Sequence, residues 1–142
     1  MRSIFLVFSF VLLTACSENS TNNPNCQFLL DVGVNVTINL SLPEYSQLQF
    51  VSNSVYIANA GNKGIIVTNA GSGFFAWDAG DPNHAQSNCS VLQISGLEAI
   101  CGCDDKNTYS LVTGQPLDNS SLQCGLKNYR IEQSGSTLLV SN

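Results

Sequence analysis

The sequence predicts an all-β domain, a small antiparallel barrel or pair of stacked sheets with two loops at one end. Three observations carry this. From Val32 to Leu42 the chain alternates without a break, with Val32, Val34, Val36, Ile38, Leu40 and Leu42 on one side and Gly, Asn, Thr, Asn and Ser on the other. Period-two alternation of this length is the pattern of a half-buried antiparallel strand. From Ser54 to Trp77, short apolar runs are separated by clusters of glycine and asparagine, and a last pair of runs flanks Ser134-Gly135. Nowhere does an apolar stripe recur at helical spacing over a useful length.

In chain order, Met1 and Arg2 give a short basic start, Ile4 to Leu13 is an apolar run, and Leu13-Thr14-Ala15-Cys16 closes it with small residues before a cysteine. The run is too short for a permanent bilayer span, so residues 1–15 are expected to be a secretion signal. The ending resembles the lipobox of bacterial lipoproteins, which implies lipidation at Cys16 and a membrane anchor in the cell envelope, outer membrane or periplasm-facing. Residues 16–25 are polar, too poor in apolar side chains to offset the entropy of ordering, and are expected to be a tether. The domain proper is then 26–142.

Within it, Pro43 ends the alternating strand because it has no N–H for a ladder. Glu44 to Phe50 is a connector in which Tyr45, Leu48 and Phe50 are expected to fold back on the sheet, although Tyr45 and Leu48 also fit one helical turn. Val55-Tyr56-Ile57, Ile65-Ile66-Val67 and Phe74 to Trp77 form a three-strand meander, its turns supplied by Gly61 to Gly64 and by Asn69 to Gly73. Such residues adopt the positive φ angles of hairpin turns at little cost. Tyr129 to Glu132 and Leu138 to Val140 make the final hairpin. Phe74, Phe75 and Trp77 could form a ligand platform, but aromatics of a domain this size more often fill the core.

Chemistry-bearing residues concentrate after Trp77. Asp81-Pro82-Asn83-His84 is followed by Cys89, then by Cys101-Gly102-Cys103-Asp104-Asp105, Tyr109 and Thr113-Gly114-Gln115-Pro116; the single histidine of the chain lies here. This order and spacing over residues 54 to 142 resembles the cluster-binding region of Rieske iron-sulfur proteins. In that family a Cys-x-His box with a further cysteine and a Cys-x-Cys-His-Gly box hold a [2Fe-2S] cluster, and the middle cysteines form a disulfide. The resemblance places His84 and Cys101 on ligand positions, and Cys89 and Cys103 on the disulfide positions. The remaining two ligand positions depart from the pattern: Pro82 or Asp81 stands where a cysteine belongs, and Asp104 or Asp105 where the second histidine belongs.

Two thiolates and two imidazoles set the stability and potential of a Rieske centre. Aspartate oxygen is a hard donor that suits magnesium, calcium or manganese better than sulfide-bridged iron. The expectation is therefore a domain without its cluster, in a binding or structural role. The alternative is an electron-transfer protein holding a [2Fe-2S] centre with Asp81 and Asp104 in place of the missing ligands. A mononuclear site from Asp81, His84, Cys101 and Asp104 lacks the tight paired spacing of structural zinc motifs.

Of six cysteines, lipidation of Cys16 leaves five in an oxidising compartment, an odd number. The resemblance implies Cys89 with Cys103. Cys101, released from ligation, is expected to pair with Cys124, so that covalent bridging takes over the loop-fixing role of the cluster; the rival is Cys26 with Cys124. A redox-active Cys101-Gly102-Cys103 dithiol lacks a neighbouring base, and Asp104 and Asp105 would raise its thiol pKa. No serine motif accompanies His84 that would support acyl transfer, and no catalytic residue is assigned. An oxidoreductase role would require the cluster. A net charge of −5 with five Lys plus Arg argues against nucleic acid, leaving the membrane, through the anchor, and an envelope partner.

Overall fold

The computed structural model describes residues 23–142; the expected signal segment, the expected lipidation site at Cys16 and most of the expected tether lie outside the described residues. Nine strands form two antiparallel sheets, and the one helical element among the described residues is a short 3-10 turn. The larger sheet runs in the order β1 (Asn35–Asn39), β9 (Thr137–Ser141), β8 (Asn128–Ser134), β4 (Phe74–Asp78), β3 (Ile65–Asn69), β2 (Ser54–Ile57). The smaller sheet is β5 (Leu92–Ser95), β6 (Glu98–Cys101) and β7 (Thr108–Ser110).

Alternation does what period two requires: Val34, Ile38 and Leu40 are buried while Asn35, Thr37 and Asn39 are exposed. The paired part of β1 is shorter than the alternating stretch, because its partner β9 matches only Asn35 to Asn39. Beyond it, the Asn142 side chain takes the partner's place, accepting from Val34 N–H at 2.9 Å and donating to the Val32 carbonyl at 2.7 Å. At the other end Leu42 stays exposed.

Ser46 to Gln49 forms the 3-10 turn, with Leu48 buried and Tyr45 packed against the core. Phe50 corrects the expectation: it does not fold back on the sheet but stands 68% exposed, since the chain leaves the turn in extended conformation there. The meander and the final hairpin are present as expected, with β2, β3 and β4 paired in sequence and β8 paired with β9.

β3 explains how the two sheets join. Ile65 and Val67 point into one core with Ile38, Leu48, Leu138 and Val140, and the sheet curls around it. Ile66, on the opposite face, enters a second core with Trp77, Leu92, Ala99, Tyr109 and Leu111. A strand buried on both faces reads as a continuous apolar run, as Ile65-Ile66-Val67 does. The smaller sheet thus packs on the outside of β3 and β4, and the loops after β4 and β6 come together at one end. Phe74 joins the first core, while Phe75 and Trp77 stack, 6.1 Å apart, over the second. They are packing residues.

The hairpin between β5 and β6 follows from Gly96, whose φ of +62° stands at the first position of a two-residue loop. That is the glycine position of a type II′ turn.

Candidate functional site

β4 delivers the chain into the first loop through Asp78-Ala79-Gly80-Asp81. Asp81 N–H donates to the Ser90 carbonyl at 2.9 Å, closing the loop on itself, and Asn83 N–H donates to Asp81 Oδ1 at 2.8 Å. This is an Asx turn, in which an aspartate before proline satisfies the backbone two residues on. The Asp81 carboxylate has no exposure and is filled from the other side as well. Tyr109 Oη–H donates to Oδ1 at 2.5 Å and Asn107 Nδ2 donates to Oδ2 at 2.9 Å. Burial, followed by this contact with Asp81, raises the Tyr109 hydroxyl well above its ordinary range.

His84 sits half-buried on the loop surface. Its Nδ1 lies 2.7 Å from its neighbour's carbonyl at Ala85 and 3.9 Å from Cys103 Sγ, and its Nε2 lies 4.0 Å from Asp105 Oδ2. A histidine engaging its own loop backbone is what an ordinary structural histidine does.

The second loop leaves β6 at Cys101. Cys89 and Cys103 are joined by a disulfide, so the two loops are held edge to edge. Gly102 is required at this junction: a Cβ there would fall 2.6 Å from the Cys89 carbonyl oxygen. Asp104 is exposed, and Asp105 accepts from Asn107 Nδ2 at 3.1 Å.

Cys101 corrects the expected pairing with Cys124. It is an unpaired thiol, 1% exposed, and Cys124 is bonded to Cys26. The physical reason is placement: Cys101 closes a strand of the smaller sheet and packs inward among Trp77, Leu92 and Tyr109, whereas Cys124 lies where the chain entering the domain at Asn25 meets it, with Asn25 Nδ2 donating to Gln123 at 2.9 Å. Burial, then the neighbouring Asp81 and Asp105 carboxylates, push the Cys101 thiol from its ordinary 9.0 up to about 12; a backbone contact at Cys103 offsets part of this.

The four positions implied as ligands do not converge. Asp81 is spent in the interior on Tyr109, Asn107 and Asn83; Asp104 faces solvent; Cys101 is beneath the loops; His84 is on top of them. The structure instead groups His84 with Cys89 and Cys103, and Cys101 with Cys103 and Asp105, the donor atoms in each group lying within 4.8 Å of one another.

Several residues of this region were not anticipated. Asn83 donates to the Tyr109 oxygen at 2.8 Å and to the Cys124 carbonyl at 2.7 Å, and accepts from Cys124 N–H at 3.1 Å. Asp78 is a second buried carboxylate, accepting from Tyr129 Oη–H at 2.6 Å, Asn62 N–H at 2.6 Å and Gly80 N–H at 2.8 Å. Asparagine and tyrosine are too common for their partnership with a distant aspartate to stand out.

Two solved structures are similar to this chain. One is described as the small subunit of an NADH-dependent nitrite reductase from Mycobacterium tuberculosis, 17% identical, with a TM-score of 0.46 over 79% of this chain and 97% of that one. The other is described as the small subunit of an NADPH nitrite reductase, 19% identical, with a TM-score of 0.43 over 74% of this chain and 97% of that one. No family model and no curated protein matches the sequence.

Proposed function

We propose that the protein is an envelope lipoprotein, anchored through Cys16, whose Rieske-like β domain carries no iron-sulfur cluster and serves a binding or structural role. The observation that carries this reading is the Asp81 carboxylate, which is fully buried and already accepts hydrogen bonds from Tyr109, Asn107 and the Asn83 N–H. Recruiting it to iron would strip a buried charge of its partners, which costs several kcal/mol. Asp104, at the other departing position, faces solvent, and its carboxylate is a hard donor that suits sulfide-bridged iron poorly. Cys101 and His84 are the two soft or borderline donors left at the four ligand positions. The donors present do not fit a [2Fe-2S] centre.

The disulfides Cys26–Cys124 and Cys89–Cys103 support the extracytoplasmic part of the reading, since such bridges persist in oxidising compartments. In this reading the Cys89–Cys103 bridge, together with Asn83 and the Asp81–Tyr109 contact, keeps the two loops in place without iron.

Anaerobic purification followed by iron and acid-labile sulfide analysis tests the proposal. A colourless protein with iron far below one atom per chain is expected. A red-brown protein with two irons and two sulfides per chain, bleaching on reduction, overturns it in favour of electron transfer to an envelope partner. Metabolic labelling with a fatty acid tests the anchor: label is expected on the wild type and absent from Cys16→Ala.

A further inference from the structure

The Thr113-Gly114-Gln115-Pro116 loop, left without a task by the proposed function, lends its first three residues to a cavity of about 520 Å³. Trp77, Gln123, Leu126, Asn128 and the Cys26–Cys124 disulfide complete most of its lining. We propose that this cavity binds an uncharged saccharide through the amides of Gln115, Gln123 and Asn128 and the Thr113 hydroxyl. The site lies apart from the cluster-ligand positions, so it stands or falls independently of whether those positions hold iron.

The chemistry of the lining selects the ligand class. No ionisable group borders the cavity, although the chain carries ten acidic and five basic residues. An ionic ligand would lose water there and meet no counter-charge, which is unfavourable. What the cavity offers is side chains that donate and accept at once. An amide carries two N–H donors and a carbonyl acceptor, and a hydroxyl carries one donor and two lone pairs. Sugar hydroxyls present the same dual character to their partners, while the C–H faces of the ring need apolar surface. Trp77, 8% exposed, and Leu126, 7% exposed, supply it together with the disulfide.

The polar groups retain hydrogen-bonding capacity for a ligand. Gln123 gives its Oε1 to Asn25 Nδ2 at 2.9 Å, which leaves its Nε2 unspent. Thr113 Oγ1 accepts from the Gln115 N–H at 3.3 Å, which leaves its hydroxyl proton. Gln115 and Asn128 are exposed, and among the described residues their side-chain amides bond to no other group. A peptide ligand would call for a free strand edge or an apolar groove. The strands that reach the cavity, β4 and β8, are instead paired with each other there, Trp77 opposite Asn128.

The walls are fixed before any ligand arrives. Leu126 N–H donates to the Gly114 carbonyl at 2.7 Å, and Asn83 holds both the N–H and the carbonyl of Cys124. Gly125 closes against the loop so tightly that a Cβ there would fall 2.9 Å from the Gly114 carbonyl oxygen. A preformed site avoids the cost of ordering loops on binding. Small-molecule sites fall at about 300 to 1,000 Å³, the range in which this cavity lies.

The test titrates the full chain with tri-N-acetylchitotriose, cellotriose and maltotriose, following the emission of Trp77, the sole tryptophan, and the heat of binding. Trigalacturonate and trialanine serve as the charged and the peptide probe. At least one neutral saccharide is expected to bind and shift the emission, with an affinity insensitive to added salt, and both other probes should bind at least about tenfold more weakly. Gln115→Ala and Asn128→Ala each remove hydrogen bonds to the ligand from an exposed side chain and should weaken binding by about three- to tenfold, with the urea midpoint unchanged. Gln47→Ala, an exposed amide on the 3-10 turn outside the cavity, should bind as the wild type does. No binding of any of the neutral saccharides, tighter binding of trigalacturonate or trialanine, or wild-type affinity in both Gln115→Ala and Asn128→Ala overturns the proposal.

Discussion

Tyr109 donates its hydroxyl to Asp81 Oδ1 at 2.5 Å across the second core, linking the middle of the β7 strand to the first loop with neither residue exposed. Three residues earlier the arrangement is repeated: Tyr129 donates to Asp78 Oδ2 at 2.6 Å. Two buried carboxylates therefore flank the exit of β4, each satisfied by a tyrosine from a different strand and by asparagine. A buried charge is tolerated only when its lone pairs are filled. These contacts fix where the first loop starts, and hence where His84 and Cys89 stand.

Tyr109→Phe removes one of the three hydrogen bonds to the Asp81 carboxylate and leaves the ring packed. Hydrogen bonds to a charged group are worth about 1.5 to 3 kcal/mol, and a loss in that range is expected. Urea unfolding should show a lower midpoint with an unchanged slope. A variant as stable as the wild type would mean that the contact contributes nothing net.

The strands built on alternation, and the glycine-punctuated meander, were legible because each needs only local pattern. Val34, Ile38 and Leu40 are buried where period two puts them. The smaller sheet was not foreseen, although Leu92-Gln93-Ile94-Ser95 alternates and Gly96 marks its turn. Its strands are three or four residues long and end in the very boxes that drew a chemical reading. At the site, the Cys89–Cys103 contact came with the family pattern. The fate of Cys101 did not, because inward or outward placement at a strand end depends on what packs above it, and that is a tertiary fact. Asp81 was read as a possible ligand for the same reason: its partners Asn107 and Tyr109 lie 26 and 28 residues away.

Alkaline pH should destabilise the protein earlier than its tyrosines alone require. Folding raises the Cys101 thiol from 9.0 to about 12, so the folded chain keeps a proton that the unfolded chain releases. The corresponding stability is fully present below pH 9 and is lost as pH rises toward 12, at up to about 1.4 kcal/mol per pH unit. Tyr109 and Tyr129, also raised, add their own loss only above their ordinary 10.0. In Cys101→Ala the fall in urea midpoint should therefore begin near pH 10 in place of 9. Identical alkaline profiles would mean that Cys101 is ionised in the folded state.

The two disulfides should differ in worth. Cys26–Cys124 spans 98 residues and Cys89–Cys103 spans 14. Loop-closure entropy gives about 4.7 kcal/mol for a loop of roughly 100 residues and about 3 for one of roughly 15. Replacing the first pair with alanine should thus cost more than replacing the second, by about 1 to 2 kcal/mol, in denaturant unfolding under non-reducing conditions. The reverse order would show that the loops of the site need their bridge for native packing beyond its effect on the unfolded chain.

Gly114 closes against the aromatic strand, and two glycine substitutions separate conformational from steric cost there. Its φ is +72°, and a Cβ would fall 2.7 Å from the Trp77 ring, whose Nε1–H is already committed to the Leu111 carbonyl at 2.8 Å. Gly135 has a φ of +59° with nothing within 4 Å of its Cβ position. Alanine at Gly135 should therefore cost only the left-handed backbone penalty, about 1 to 2 kcal/mol. Alanine at Gly114 adds an overpacking term of about 1 to 3 kcal/mol. Trp77 is the only tryptophan, so its fluorescence reports the site directly: a shifted emission maximum is expected for Gly114→Ala and none for Gly135→Ala. Equal destabilisation with no change in emission would mean that the Thr113 to Pro116 loop moves off the ring at no cost.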